Sequence, residues 1–128
     1  MIRAQYHFRE SPEGLLAWDV RELVRASESF EPFRVPVEQI AELDENHWYQ
    51  HAKPTCRSIL EHCALIEAAD LNFPIILDAS GRVMDGMHRV CKAVRSGLPE
   101  IACVQFTVDP PPDYVGVAPQ DLPYDDDP

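Results

Sequence analysis

Residues 83–89, of sequence VMDGMHR, place an acid, a glycine, an imidazole and a guanidinium where an apolar strand gives way to a helix. The first N–H groups of a helix have no partner within it and favour an anion, and a glycine lets the backbone approach a ligand closely. His88 and Arg89 would add charge-assisted donors. The pattern predicts a phosphate-binding turn, with Asp85 able to hold a metal ion or orient a hydroxyl group. The alternative is that Asp85 and Gly86 only cap a surface helix whose Arg89 side chain is solvated.

The acidic loop that contains Glu42, Asp44 and Glu45 is a second candidate for chemistry. A carboxylate near a bound phosphate can accept a proton from an attacking hydroxyl group or hold magnesium. Glu42 or Glu45 is the first choice for such a base, with Asp44 behind them. The alternative is a solvated acidic turn, which is usual for a run of charges in an acidic chain.

Two further groups of side chains carry weaker signals. The irregular stretch 47–51, HWYQH, could line a pocket and stack on a base, or it could be a loop anchored by buried aromatic rings. His62 and Cys63 are adjacent on a predicted helix and therefore lie on different faces, which argues against a metal site there.

The composition limits both the size of the domain and its partners. A length of 128 residues predicts one domain, and 22 acidic against 11 basic residues give a formal charge of -11. That charge argues against wrapping DNA, although it permits a local basic pocket. Four cysteines without a C-x-x-C pair predict reduced thiols, mainly in the core. We expect a soluble cytoplasmic protein without a membrane partner, because there is no signal-peptide pattern and no long apolar run.

Hydrophobic periodicity and turn signals predict the elements that hold these groups. They are, in chain order, a helix over about 12–28 with a possible break at 18–19, an edge strand at 33–37, a helical turn at 37–41, a helix from an N-cap at 55 to about 69, strands at 73–77 and 82–84, a helix at 88–96 ended by Gly97, and a strand at 101–106. The order predicts a single α+β domain with a small mixed sheet and packed helices. We expect a helical extension over 1–30, the central domain over 31–107, and an extended or disordered acidic, proline-rich tail over 108–128.

The chain contains the motifs PIILD at 74–78 and RVMDGMHR at 82–89, a glycine turn between them, and a strand that starts at Ile101. Together these features resemble the ParB/sulfiredoxin-like superfamily. The resemblance covers about residues 34–107 and is most specific over 73–106. It implies that fold, and it implies a nucleotide whose phosphates lie against the turn.

The resemblance also assigns roles to particular residues. Gly86, His88 and Arg89 match the phosphate contacts, and Asp85 matches the acid of the turn. In sulfiredoxins a lysine and hydroxyl groups near the start of the preceding helix also meet the phosphates. Lys53, Thr55 and Ser58 lie in that region of this chain. The closest branch by motif is a free-serine kinase with a D-G-H-H-R turn, which keeps a catalytic acid after its first strand, where the 42–45 loop lies here.

Departures from the family pattern narrow the expected function. Met87 stands where sulfiredoxins keep their reactive cysteine and where the kinase has its first histidine, so sulfiredoxin chemistry is not expected. An acidic segment follows where ParB proteins carry a helix-turn-helix, so a DNA-associated CTPase clamp is less expected. The implied function is binding of ATP, ADP or CTP with Mg²⁺, with phosphoryl transfer to a small hydroxylated metabolite or nucleotide hydrolysis. The alternative is a non-catalytic module that binds a nucleotide or a protein partner, and the oligomeric state stays open.

Overall fold

The computed structural model describes residues 5–50 and 52–124. Within these ranges the elements are β1 (Tyr6–Arg9), β2 (Leu16–Asp19), α1 (Val20–Ser27), β3 (Phe33–Pro36), α2 (Cys56–Ala68), β4 (Ile75–Leu77), β5 (Val83–Asp85), α3 (Met87–Arg95), β6 (Glu100–Gln105) and β7 (Tyr114–Val115). Short 3₁₀ turns cover Val37–Gln39, Ala41–Asp44 and Pro119–Asp121.

The larger of two sheets has the strand order β3-β6-β4-β5. Strands β4 and β6 run parallel, while β3 pairs with β6 and β5 pairs with β4 in antiparallel fashion. The predicted α+β class and mixed sheet are therefore confirmed. Strand β3 lies at the edge, as predicted, since Pro36 has no N–H to donate to a central ladder.

The core lies on both faces of this sheet, because side chains alternate along each strand. Ile75 and Leu77 of β4 pack with Val90 of α3 on one face. Ile76 points to the other face and packs with Leu23 of α1. Burying an aliphatic side chain of this size contributes about 2 kcal/mol, so the two clusters hold α1 and α3 against opposite faces of the strands that carry the turn.

The N-terminal region differs from the predicted helix over 12–28. Strands β1 and β2 form an antiparallel hairpin over residues 6–19, and Gly14 adopts a φ of 110° in its turn. The helix begins only at Asp19, whose side chain caps it by accepting from the Arg21 N–H. The helical prediction was wrong before Asp19 because residues 16–19 form a strand that pairs with β1 and, at Leu16 and Ala17, with β7.

The proline-rich tail is packed along residues 108–124 rather than disordered. Strand β7 pairs with β2 in a second sheet of order β1-β2-β7. The Trp18 indole N–H donates to the Pro110 carbonyl over 2.8 Å, and Leu122 is buried. Composition alone predicted disorder as one option, and these long-range contacts overturn it; residues 125–128 lie outside the described part.

Helix α2 has the predicted bounds, and several of its apolar side chains are exposed. Thr55 is its N-cap and forms a reciprocal capping box with Ser58. Ile59 is 49% exposed and Leu60 is 68% exposed, and none of the residues of α2 is buried.

The four cysteine thiols are free, but only Cys103 is buried in the core, and Cys56 is exposed. In the described ranges, none of the helices is long and apolar enough to cross a membrane.

Candidate functional site

The turn between β5 and α3 has the geometry expected of an anion site. Gly86 begins the helix with φ 106° and ψ 21°, and no side chain caps this helix. A Cβ atom at Gly86 would come within 2.6 Å of Ile75 Cγ2, so a larger residue does not fit. The first N–H groups of α3 are therefore left for an acceptor outside the helix.

The first residues of α3 line a cleft with a volume of about 820 Å³. That volume lies within the range of small-molecule sites, about 300–1,000 Å³. Gly86, Met87 and His88 form part of the wall. The rest comes from β1, Val20, β5, the hairpin turn after β4 and the 42–52 region, and includes His7, Arg9, Glu42, His47, Trp48, Asp78, Arg82 and Asp85.

An apolar groove of about 730 Å³ lies on the other side of the same turn. Apolar side chains of the α1, α2 and β4 regions line it, including Val24, Phe30, Leu65, Phe73 and Ile76. Gly86 and His88 line both cavities. The turn therefore stands between a polar cleft and an apolar groove.

His88 does not stand alone at the turn. Its Nε2 atom lies 2.8 Å from Nδ1 of His62 on α2, which is hydrogen-bonding distance. Trp48 stacks on both rings, with centroids 4.2 Å from His62 and 4.7 Å from His88. Sequence reasoning missed this role of His62, because the contact with His88 joins two helices and no local pattern along α2 points to it.

Burial keeps the histidines around the cleft neutral. It lowers the pKa of His88 to about 4, with further lowering by His62 and His47, and it lowers the pKa of His7 to about 4 as well. Burial also lowers the pKa of His47 and of His62. At neutral pH His88 thus offers one neutral N–H, rather than the charged donor that the sequence suggested.

The low pKa of His88 predicts an acid-sensitive fold. In the unfolded chain a histidine keeps its ordinary pKa, so the unfolded state binds the proton first and the free energy of unfolding falls as the pH drops from 6.5 towards 4. We expect the ring signals of His88 to titrate with a midpoint near 4 by NMR, and urea unfolding to show lower stability on acidification. In His88→Asn that dependence should be shallower. A midpoint near the ordinary 6.5 would contradict the burial of this ring.

Arg89 is engaged within the chain. Its guanidinium pairs with Asp85 over 2.8 Å and donates to the carbonyls of Phe73 and Pro74 over 3.0 and 2.8 Å. The side chain is only 15% exposed, so the alternative of a solvated Arg89 is wrong. Arg89 and Asp85 anchor the turn to the residues that precede β4, and their contacts with phosphate or metal stay predictions.

The three acids of the 42–45 loop have separate environments. Glu42 is 3% exposed, lines the cleft, and accepts from the Val83 N–H over 2.6 Å. Glu45 is exposed and forms two hydrogen bonds with Arg82, which lower the pKa of its carboxyl. Asp44 is exposed. The solvated-turn alternative thus holds for Asp44 but not for Glu42, the one acid of the three that reaches the cleft wall.

The structure does not bring the remaining predicted contacts to the turn. Thr55 and Ser58 use their hydroxyl groups in the capping box of α2, and the Ser58 Oγ also lies 3.2 Å from the Tyr49 hydroxyl. Lys53 is exposed. Among the described residues that line the cleft and the groove, none of these three occurs.

The 47–51 stretch contributes both to the wall of the cleft and to the packing of the core. His47 and Trp48 line the cleft, and Trp48 also packs against the core. Tyr49 meets His62 edge-on, with ring centroids 5.6 Å apart. His51 lies outside the described residues. Over 5–50 and 52–124, no three His, Cys, Asp or Glu side chains are grouped so that they could hold a metal ion.

Together, the fold and the site define an α+β domain in which an uncapped, glycine-started helix opens into a polar cleft. Comparison with protein-family models, with curated proteins and with solved structures found no match to this chain.

Proposed function

We propose that the chain is a ParB/sulfiredoxin-like domain that binds ATP, ADP or CTP, with its phosphates at the N-terminus of α3. The observation that carries this proposal is the start of α3 at Gly86, without a side-chain cap, at the wall of the 820 Å³ cleft. A helix N-terminus with free N–H groups carries partial positive charge and favours phosphate. Gly86 permits the positive φ with which the backbone enters α3, and Ile75 and Arg89 occupy the space that a Cβ atom would take.

The arginine side chains of the cleft are already paired with acidic side chains, so we assign the phosphate to the N-terminus of α3. Arg9 is paired with Asp78 and Asp109, and Arg82 is paired with Glu45 and lies 3.6 Å from Glu42. The donors that remain at the turn are the α3 N–H groups and His88. Mg²⁺ would arrive with the nucleotide, because this ion keeps several waters and binds phosphate oxygens with few protein ligands.

Different observations support two functions for this site, catalysis and binding without catalysis. Glu42 lines the cleft and could accept a proton from a hydroxyl group, which supports phosphoryl transfer to a small hydroxylated metabolite or nucleotide hydrolysis. A non-catalytic nucleotide-binding module is the second candidate. It is favoured by the engagement of the acids, since Glu42 accepts from Val83 and Asp85 is paired with Arg89.

Calorimetry with ATP, ADP, CTP and GTP, with and without Mg²⁺, tests the binding. We expect His88→Glu to weaken binding of the preferred nucleotide by at least about tenfold, because a carboxylate would face the phosphate. Because the His88 ring stacks on Trp48 and bonds to His62, circular dichroism and urea unfolding must first show that His88→Glu remains folded. Val94→Glu adds the same charge at an exposed position further along α3 and should leave affinity unchanged. If no nucleotide binds wild type at millimolar concentration, the proposal fails.

A second experiment distinguishes an enzyme from a non-catalytic nucleotide-binding module. Glu42→Gln keeps an oxygen that accepts from the Val83 N–H but cannot act as a base. In an enzyme, this variant should bind nucleotide like wild type and lose turnover, measured as release of ADP or inorganic phosphate. In a module, wild type itself should show binding without turnover.

A further inference from the structure

The pairing of His62 with His88 constrains which nitrogen of His88 can meet a ligand. His88 Nε2 lies 2.8 Å from His62 Nδ1, so this nitrogen is already engaged. Nδ1 is the one ring nitrogen of His88 that the pair leaves for another partner. A hydrogen bond between two neutral imidazoles needs one N–H and one lone pair, and two tautomeric arrangements satisfy it.

The two arrangements differ in what His88 presents. If His88 Nε2–H donates to His62, then His88 Nδ1 carries a lone pair and cannot donate to a phosphate. If His62 Nδ1–H donates to His88 Nε2, then His88 Nδ1 carries the proton and can donate. A phosphate oxygen only accepts, so it is compatible with the second arrangement alone.

We propose that His62 is a positioning residue of the phosphate-binding turn, whose Nδ1–H donates to His88 Nε2 and so gives His88 a protonated Nδ1 for the ligand. The inference rests on the proposed function, because it assigns the donor for the phosphate at that site. A side chain that fixes the tautomer of a functional histidine is a recurrent device in binding and catalytic sites.

The surroundings hold the pair in one orientation. Trp48 stacks on both imidazoles within 15° of parallel, and the two rings lie 5.1 Å apart. Tyr49 packs edge-on against the ring of His62. Burial lowers the pKa of both histidines, which keeps the pair neutral and keeps one donor and one acceptor between them.

The charged and titratable groups near the pair come from several elements. The 47–49 loop contributes His47 and Tyr49, and His47 acts against protonation of His88. Helix α2 contributes Glu61, which favours protonation of His62. The start of α3 contributes the Asp85–Arg89 ion pair, whose charges offset each other. None of these contributions reverses the lowering of either pKa by burial.

Two substitutions of His62 separate its hydrogen bond from its stacking. His62→Phe keeps an aromatic ring under Trp48 but removes the donor. His62→Asn loses the ring but places an amide N–H close to the position of Nδ1. We expect His62→Phe to bind ATP with Mg²⁺, and inorganic pyrophosphate, about tenfold more weakly than wild type, because His88 is no longer held in the tautomer whose Nδ1–H donates to the ligand. His62→Asn should retain most of the affinity.

Nitrogen-15 NMR of the histidine rings in the free protein reads the tautomers directly. The expected spectrum shows a proton on Nδ1 of both His62 and His88 and a lone pair on His88 Nε2. A proton on His88 Nε2 overturns the inference whatever the affinities are. Equal affinity in wild type and His62→Phe overturns it and leaves the proposed function standing. Absence of binding of both probes to wild type overturns the proposed function itself, and with it the ligand assigned to His88.

Discussion

Gly86→Ala should lower the free energy of unfolding by about 3 kcal/mol and should abolish the proposed nucleotide binding in the protein that remains folded. The first cause is the backbone, since a φ of 106° is one that an L-residue rarely adopts. The second cause is steric. The added Cβ would lie 2.6 Å from Ile75 Cγ2 and 3.0 Å from a guanidinium nitrogen of Arg89.

The steric clash of the added Cβ atom with Ile75 and Arg89 also affects the site. Ile75 is fully buried in the central strand β4, so it cannot move away without opening a cavity in the core. Arg89 can move only by losing its bonds to Asp85 or to the carbonyls that precede β4. Either response displaces the start of α3, and with it the N–H groups proposed to bind phosphate.

Gly97→Ala is the matched control. Gly97 also has a positive φ, 74°, but a Cβ atom there would meet no atom within 4 Å. We expect it to cost only the backbone strain, about 1 kcal/mol, and to leave nucleotide affinity unchanged. Urea unfolding of both variants measures the difference. Equal losses of unfolding free energy in the two variants would mean that Ile75 and Arg89 accommodate a Cβ atom. The close packing around Gly86 would then not restrict the residue at this position.

The elements that the sequence predicted correctly are those with local signals. Thr55 caps α2 through a residue three positions away, and Gly86 and Gly97 bound α3 by their own backbone preference. Such signals depend on neighbours in sequence and need no knowledge of the fold. The start of α1 after its N-cap Asp19 falls at the possible break that the sequence indicated at 18–19.

The features that the sequence did not predict depend on contacts between distant residues. Strand β2 pairs with β1 and also, through Leu16 and Ala17, with β7, which lies in a segment whose composition suggested disorder. His62 meets His88 only when α2 and α3 are packed. Glu42 belongs to a run of acids that looks solvated, and its burial follows from a bond to the Val83 N–H in β5. No local pattern encodes these three contacts.

The largest loss of stability is expected at Asp78, in the hairpin turn between β4 and β5. Its carboxylate is 3% exposed. Oδ1 accepts from the Ser80 N–H, the Ser80 hydroxyl and the Arg82 N–H, at 2.8 to 2.9 Å. Oδ2 accepts from Arg9 of β1 over 2.8 Å. One side chain therefore holds the hairpin turn and joins it to the N-terminal sheet.

Asp78→Ala should lower the free energy of unfolding by about 4 kcal/mol, because it leaves a charged guanidinium and two backbone donors without this acceptor. Asp109→Ala is the control. Asp109 bonds the same Arg9, over 3.0 Å, and the Ala79 N–H, but it is 30% exposed. Water can replace those bonds, so we expect a loss of about 1 kcal/mol. Urea unfolding at neutral pH measures both.

Asp78→Asn separates the turn from the ion pair. The amide oxygen can still accept from Ser80 and Arg82, while the amide nitrogen would face the Arg9 guanidinium, donor against donor. We expect an intermediate loss, about 2 kcal/mol. If Asp78→Asn is as stable as wild type, the contact with β1 contributes nothing. The N-terminal sheet would then be attached to the cleft through Trp18 and the tail alone, and β1 would be a movable wall rather than a fixed one.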